Sequence, residues 1–474
     1  MTDNVNENQL LKNTFYYTLT SLAILIISFF SIIVFTHVLT VEEFGIVNFF
    51  SSTITMLIVI LSLALGSTIS RFYYDKNLNF SSFIKTVCIF TLGINAIIVP
   101  VLLLFSKSIA GFFNIEVLLL YLIIIESIVS IFLGYYSNYL IASQKAKSYM
   151  FFRIIPLLAN TVLSLILIKV LQFSNNGYLR IIIIIAVNII YLLYIFNKSK
   201  KLLKVKADKS SIKKALLFSM PMIPHLLSSN ILIYFSKIVI NQYGNMTDTG
   251  MYSLSTKIAE VVLLLITSIN YAWAPLFYYN NGDYKPLQNI LKRYTQIIVF
   301  GMLGITFYSS NLVKLLISSN FYEALSIIPV LCLGFFFVFL YQIYINYAIY
   351  CKKTINITIN TVIAAALNIV LNYIFVPKFG YIAAAYTTLI SYIVLFILHY
   401  INSKYILKGE VFQIRVIKKE LIALAVGLSI FLLTSYISNI IIVVLIRTIY
   451  LTIFFIKCDI ISVVKRMIFK KGDI

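Results

Sequence analysis

Charge is what this sequence has least of. Asp, Glu, Lys and Arg make up 11% of its 474 residues, against about a quarter in ordinary soluble domains. Acids are scarcer still, 16 against 38 Lys and Arg. Such a chain cannot clothe a water-facing surface. With 61% hydrophobic residues and a mean hydropathy of +0.97, it reads as an integral membrane protein. Cysteine is limited to Cys88, Cys332, Cys351 and Cys458, scattered in or beside apolar stretches. Without a CxxC or a nearby histidine pair, neither a zinc site nor a disulfide framework is indicated. No GxxxxGK[ST], HExxH or GxSxG occurs, so the motifs of ATP hydrolysis and of zinc or serine hydrolases are missing. No loop is long enough for a soluble catalytic domain. The sequence therefore predicts no enzyme, no metal and no cofactor.

The net charge of +22 does not point to nucleic acid, because the basic residues alternate with apolar runs instead of gathering on a folded, water-facing surface. The N-terminal stretch carries Lys12 beside Asp3 and Glu7. The apolar run behind it is long and lacks a small-residue cleavage site, which argues against a cleaved signal peptide.

A helix needs about 20 apolar residues to cross about 30 Å of hydrocarbon. Fourteen such segments are predicted, beginning near residues 15, 45, 83, 117, 151 and 180, then near 216, 250, 287, 324, 355 and 381, with a closing pair near 419 and 439. Placing the N-terminus inside puts 30 of the 38 Lys and Arg in cytoplasmic loops, 5 outside and 3 within spans. Retention of Lys and Arg on the cytoplasmic side makes this the expected orientation, with both termini cytoplasmic. The basic loops would also attract anionic lipid head groups.

The chain repeats itself. "EEFGIVNFFSSTITMLIVILSLALGSTISRFYY" lies over "DTGMYSLSTKIAEVVLLLITSINYAWAPLFYY" without a gap, pairing Gly45 with Gly250 and Phe72-Tyr73-Tyr74 with Phe277-Tyr278-Tyr279. A second block pairs Tyr136, Asn138, Tyr139, Ile141 and Lys145 with Tyr344, Asn346, Tyr347, Ile349 and Lys353. Each copy holds six spans, and six is even, so both copies enter the membrane in the same direction. The predicted fold is an all-α integral membrane protein of about 14 transmembrane helices, two parallel six-helix halves plus a C-terminal helix pair. Residues 1–197 form the first half, 198–215 a basic cytoplasmic linker and 216–403 the second half. A basic loop, the terminal pair and a cytoplasmic tail occupy 404–474. Parallel halves around an interfacial cavity suit a transporter that rocks between two open states.

Ionisable residues inside spans are costly and mark functional candidates. Lys257 and Glu260 share a helix face at i,i+3 near mid-depth. They read either as a structural bridge or as a cavity pair that binds an anionic head group or a coupling ion. Lys237 lies one turn from the outer end of its span, where it either snorkels to water or meets substrate. Glu126, also near mid-depth, is a candidate for proton or cation coupling. Arg71 and Arg153 sit at cytoplasmic span ends, as topology anchors or as greeters of an entering phosphate. Arg447 reads as a structural or lipid contact, and His225 as a helix-to-helix hydrogen bond. In "SMPMIPHLLSSN", Pro221 and Pro224 predict a kinked or broken seventh span, with Ser228, Ser229 and Asn230 tolerated where they line water.

In their order and spacing, "THVLTVEEFGIVNF", "FSMPMIPHLLSSNILIYFSKIVI", "TGMYSLSTKIAEVV", "AWAPLFYY" and "FVPKFGYIAAAYTTLIS" resemble the Wzx-type flippases of the multidrug/oligosaccharidyl-lipid/polysaccharide exporter superfamily. The resemblance implies a bacterial inner-membrane protein for surface polysaccharide assembly. It would move undecaprenyl-diphosphate-linked oligosaccharide to the outer leaflet through a cationic cavity, next to membrane lipids and polysaccharide polymerase machinery. It implies substrate contact by Lys257, which matches the lysine of the family's glycine-tyrosine motif. Lys237 is implicated too, although Ser236-Lys237 stands where the family often has Asp-Arg. Two rivals share the fold. A lipid II flippase has the same span count, whereas a MATE-like cation or drug antiporter would want a net acidic cavity. A membrane glycosyltransferase would need a large outer loop with catalytic groups, and none is present.

Overall fold

The computed structural model describes residues 7–458 except 76–77, 172, 201–204, 281 and 410–411. Lys76, Lys201, Lys204 and the tail bearing Lys465, Arg466, Lys470 and Lys471 therefore lie outside the described residues. Among the described residues, the chain has helix as its only regular secondary structure. It forms α1 (Glu7–Val38), α2 (Val41–Ser62), α3 (Gly66–Phe72), α4 (Phe80–Leu104), α5 (Ser106–Phe112), α6 (Val117–Ala142), α7 (Ala146–Leu171), α8 (Asn176–Ser199), α9 (Lys209–Ser219), α10 (Ile223–Asn230), α11 (Ser236–Tyr243), α12 (Met246–Tyr279), α13 (Gln288–Leu316), α14 (Ile328–Tyr350), α15 (Thr354–Ile401), α16 (Lys418–Thr434) and α17 (Ile440–Lys457). Among the described residues, twelve helices are long and apolar enough to cross a membrane. The expected fourteen counts two more. One comes from dividing the 53-residue stretch Thr354–Ile406, which breaks at Gly380 with φ 62 and ψ −153, a conformation essentially confined to glycine. The other is the 17-residue α16.

Packing separates two compact units, Met1–Met251 with Val376–Tyr381, and Tyr252–Phe375 with Ile382–Ile474. In the first unit α1 lies along α7, while α2, α6 and α8 pack on one another. α2 starts with a capping box: Thr40 Oγ1 accepts from Glu43 N at 3.2 Å, and Glu43 Oε2 from Thr40 N at 2.8 Å. The other carboxylate oxygen of Glu43 accepts from Asn176 N at 2.6 Å. One acid thus fastens the starts of α2 and α8. A β-carbon at Gly45 would overlap Met246 O, and one at Gly250 would overlap Val41 O. The two glycines paired by the repeat are therefore where the starts of α2 and α12 touch backbone to backbone.

Leu63 and Ala64 both adopt left-handed conformations, φ 47 and φ 56, and divide α2 from α3. A break of this kind frees carbonyls that apolar surroundings cannot satisfy. Asn95 Nδ2 donates to Leu61 O, freed at the end of α2, at 3.0 Å, while Asn138 Nδ2 joins α6 to the first turn of α3 through Gly66 O at 2.9 Å. Around the break, Leu61, Leu65, Ile69, Phe83, Val87, Ile131 and Tyr135 form a buried core.

The second unit repeats the contact with a difference. α12 runs unbroken through the matching region, and Asn346, the partner of Asn138 in the repeat, donates to Asn270 Oδ1 at 2.9 Å. Here α13 packs on α14, α16 and α17. Arg447 on α17 is 5% exposed. It donates to Phe307 O at 2.7 Å and Thr434 Oγ1 at 2.9 Å, with Phe431 beneath its guanidinium. This is the structural role its position suggests.

The described end of the linker is tied down. Ser82 Oγ donates to Lys206 O at 2.6 Å and Asp208 N to Thr86 Oγ1 at 2.9 Å, both on α4. Asp208 caps α9, and hydrogen bonds from Ser211 and Ser210 hold its carboxyl below the usual carboxylate range.

Candidate functional site: a polar cavity in the first unit

α6, α7 and α8 are apolar helices with one polar stripe each. On α6, Ser130, Gly134, Ser137 and Asn138 recur at helical spacing; on α7, Arg153, Pro156 and Asn160 do so; on α8, Asn188 and Tyr191. These stripes face one cavity of about 480 Å³, to whose lining Ile24 of α1 and Ile58 of α2 also contribute. The volume is within the range of small-molecule sites, about 300–1,000 Å³. Pro156 offers no backbone N–H, which leaves the Phe152 carbonyl without its helical donor beside the cavity.

Arg153 is the one charged side chain on the lining. Directly behind the wall lies Glu126, 3% exposed. Its Oε1 accepts from Ser130 Oγ and Asn188 Nδ2, both at 2.8 Å, and both of those residues line the cavity. Its Oε2 is buried without a hydrogen-bond partner, as is Asn160 Oδ1. An orphaned buried oxygen is expensive, and protonation or a bound cation would relieve it. The arrangement offers a guanidinium for phosphate, amides and hydroxyls for polar groups, and one carboxylate able to change charge.

The other candidates are distributed elsewhere. Lys257 Nζ bonds Glu260 Oε2 at 2.9 Å in the second unit, with side chains 35% and 26% exposed. Lys237 is 2% exposed and lies 5.7 Å from the Tyr234 ring centroid, so it does not snorkel out of the protein. Arg71 is exposed in the last turn of α3. Asn230 Nδ2 donates to Thr55 O on α2 at 3.0 Å. Around Pro221 and Pro224 the chain passes through a 3₁₀ turn at Met220–Met222, then α10, a π turn at Ile231–Phe235 and α11. His225 Nδ1 is buried with no hydrogen-bond partner, in place of the helix-to-helix bond expected of it. Among the described residues, no cluster of His, Cys, Asp or Glu could hold a metal.

Ser130, Asn188 and Asn160 were not singled out by their chemistry in the sequence. Their signal was present in the i,i+4 relation of Ser130 to Glu126 and the i,i+7 relation of Asn160 to Arg153.

A family model described as polysaccharide biosynthesis protein matches residues 10–280. The chain belongs to that family. The matched region takes in the whole first cavity and its supporting helices. A curated relative, the Lsg locus putative protein 1 of Haemophilus influenzae, is 24% identical over 277 residues, covering 56% of this chain and 65% of that protein. Among solved structures, the lipid II flippase MurJ in an inward closed conformation superposes with a TM-score of 0.70 at 17% identity, over 97% of this chain and 100% of MurJ. The MATE multidrug transporter DinF-BH gives 0.56 at 16% identity, over 88% and 97%. At such identities the likeness is one of fold. With twelve helices among the described residues long and apolar enough to cross a membrane, this family member is a multi-pass membrane protein with a transporter-like fold.

Proposed function

We propose that this protein is a flippase. It moves polyprenyl-diphosphate-linked oligosaccharides from the cytoplasmic to the outer leaflet of the bacterial inner membrane by alternating access, for surface polysaccharide assembly. The observation that carries this reading is the polar cavity with Arg153 on its lining and the acid Glu126 withdrawn behind it. A diphosphate cannot enter hydrocarbon without a compensating cation, and Arg153 supplies a planar, always-charged donor. Asn138, Asn160 and Asn188 present the amides that sugar hydroxyls require. A cation antiporter would be better served by a carboxylate on the lining itself. Family membership supports the glycan reading; the MurJ-like fold makes lipid II the rival cargo.

In this reading Glu126 takes up the coupling proton or cation, and Lys257, Lys237, Arg71 and Asn230 contact substrate along its path. Glu260 partners Lys257 in coupling, and the irregular helix around Pro221 and Pro224 is a hinge. Both termini are cytoplasmic, on the side where Lys and Arg concentrate. The chain performs no covalent chemistry and hands its cargo to a polymerase at the outer leaflet. The test is deletion in the parent bacterium with complementation. Loss of surface glycan with accumulation of its lipid-linked precursor inside, restored by the wild-type chain, is the expected result. Rescue of a strain depleted of its lipid II flippase, without any effect on surface glycan, would instead assign lipid II as the cargo.

A further inference from the structure

A second cavity in the first unit has the opposite chemistry. It is a groove of about 430 Å³ between α4, α6 and α8, lined almost wholly by aliphatic and aromatic side chains. No acidic residue lines it. Leu92, Leu193 and Phe196 on its walls are 54%, 59% and 55% exposed, so the groove opens away from the protein, where a membrane protein meets lipid. It is separate from the polar cavity. α6 turns Ser137 and Asn138 to one and Tyr136 and Tyr139 to the other, with the Leu140, Phe152 and Ile195 cluster packed nearby.

Its length can be read from the helices. The lining runs from Ile84 to Leu92 on α4, from Phe132 to Tyr139 on α6 and from Leu192 to Ser199 on α8, about 10–12 Å at 1.5 Å per residue. Half of a hydrocarbon core is about 15 Å. The groove therefore fits one ordinary acyl chain within one leaflet. The polyisoprenoid of a lipid-linked glycan, longer than the bilayer is thick, would run far beyond it.

The end nearest Tyr139 and Ser199 is cationic. Lys145 Nζ donates to Tyr139 OH at 2.8 Å and lies 4.9 Å from the centroid of that ring. The bond to the phenol raises the ammonium's pKa above its ordinary value, keeping it charged. Lys198 lies 5.8 Å from the Tyr194 centroid, and Tyr136, on the groove wall, is within electrostatic range of both lysines. Both lysines are exposed, and so open to a ligand. An apolar slot that spans most of one leaflet under a cationic rim is complementary to an anionic lipid.

We infer that the α4–α6–α8 groove binds an anionic phospholipid, with one acyl chain along the slot and the phosphate between Lys145 and Lys198. The site does not depend on the transport reading.

The test uses the full chain in nanodiscs of phosphatidylcholine. Leu193→Trp places a fluorophore on the groove wall, and the parent, with its one tryptophan at Trp273, gives the background. Brominated phosphatidylglycerol should quench the added tryptophan with an apparent preference on the order of tenfold over brominated phosphatidylcholine, since each nearby lysine favours anionic lipid. Lys145→Ala with Lys198→Ala should bring that ratio close to one while Trp273 emission and Tm stay unchanged, which shows that the protein is folded. Equal quenching by the two lipids would overturn the inference, as would a preference that survives the double substitution. Displacement of brominated phosphatidylglycerol by equimolar polyprenyl phosphate would overturn it in favour of the carrier lipid.

Discussion

Glu126 is satisfied at one carboxylate oxygen and orphaned at the other, and that imbalance makes it testable. Glu126→Gln keeps an acceptor for Ser130 and Asn188 but removes the ionisable group. We expect the variant to fold normally and to lose ion-driven flipping, measured as gradient-dependent transport of a lipid-linked glycan in proteoliposomes. Glu126→Leu would strand both donors and reduce stability by about 1–3 kcal/mol for each, seen as a lower Tm. Lys257 and Glu260 pose a different question, because a partly exposed ion pair contributes only about 0–1 kcal/mol. A bridge with no other role predicts normal surface glycan when Lys257→Ala and Glu260→Gln are combined. A substrate contact at Lys257 predicts loss of surface glycan and accumulation of precursor in Lys257→Ala, with no rescue in the double variant. The second is the expected outcome, and quantifying surface glycan decides it. At this scale the sequence located the costly groups, since charge within an apolar run is visible without coordinates. It did not show that Lys237 is enclosed to 2% or that Asn188 reaches Glu126, because both depend on which helix face meets which neighbour.

Helices α2 and α12 begin in backbone contact at Gly45 and Gly250, and neither position has room for a β-carbon. Gly45→Val should force the two starts apart. In a cysteine-free background, Val41→Cys should then label faster with a membrane-impermeant maleimide, and flipping should stall. Unchanged labelling would mean that the contact is not a gate. The aligned repeat picked out both glycines; that the Met246 carbonyl occupies the space beside Gly45, and the Val41 carbonyl the space beside Gly250, became apparent only from the packing. Arg447 anchors α17 to α13 and α16 through three acceptors. Arg447→Met would remove the bonds to the Phe307 carbonyl and the Thr434 hydroxyl, each worth about 0.5–1.5 kcal/mol, and a fall in Tm should accompany it.

For the whole molecule, the furthest-reaching expectation from sequence is the parallel repeat, within which Asn138 and Asn346 make different bonds, one to the Gly66 carbonyl and one to the Asn270 side chain. A six-span period is legible because insertion direction and loop charge are both written in composition. The two copies have nonetheless diverged, one bent at Leu63–Ala64 and one straight, since a bend depends on partners supplied by other helices. Orientation remains open to a direct check. In cysteine-free protein, Ser174→Cys should react with impermeant maleimide on intact cells, whereas Lys147→Cys should react only after permeabilisation. The bend also bears on biogenesis. Leu61 O and Gly66 O receive their side-chain donors from Asn95 and Asn138, residues synthesised later than the helix they serve. Two left-handed residues cost about 1–2 kcal/mol each. When this segment first enters the bilayer it therefore has every reason to be a straight rod like α12. We expect the bend to form once the helices bearing those asparagines have joined it, so that the shape of this segment is settled after its own translation.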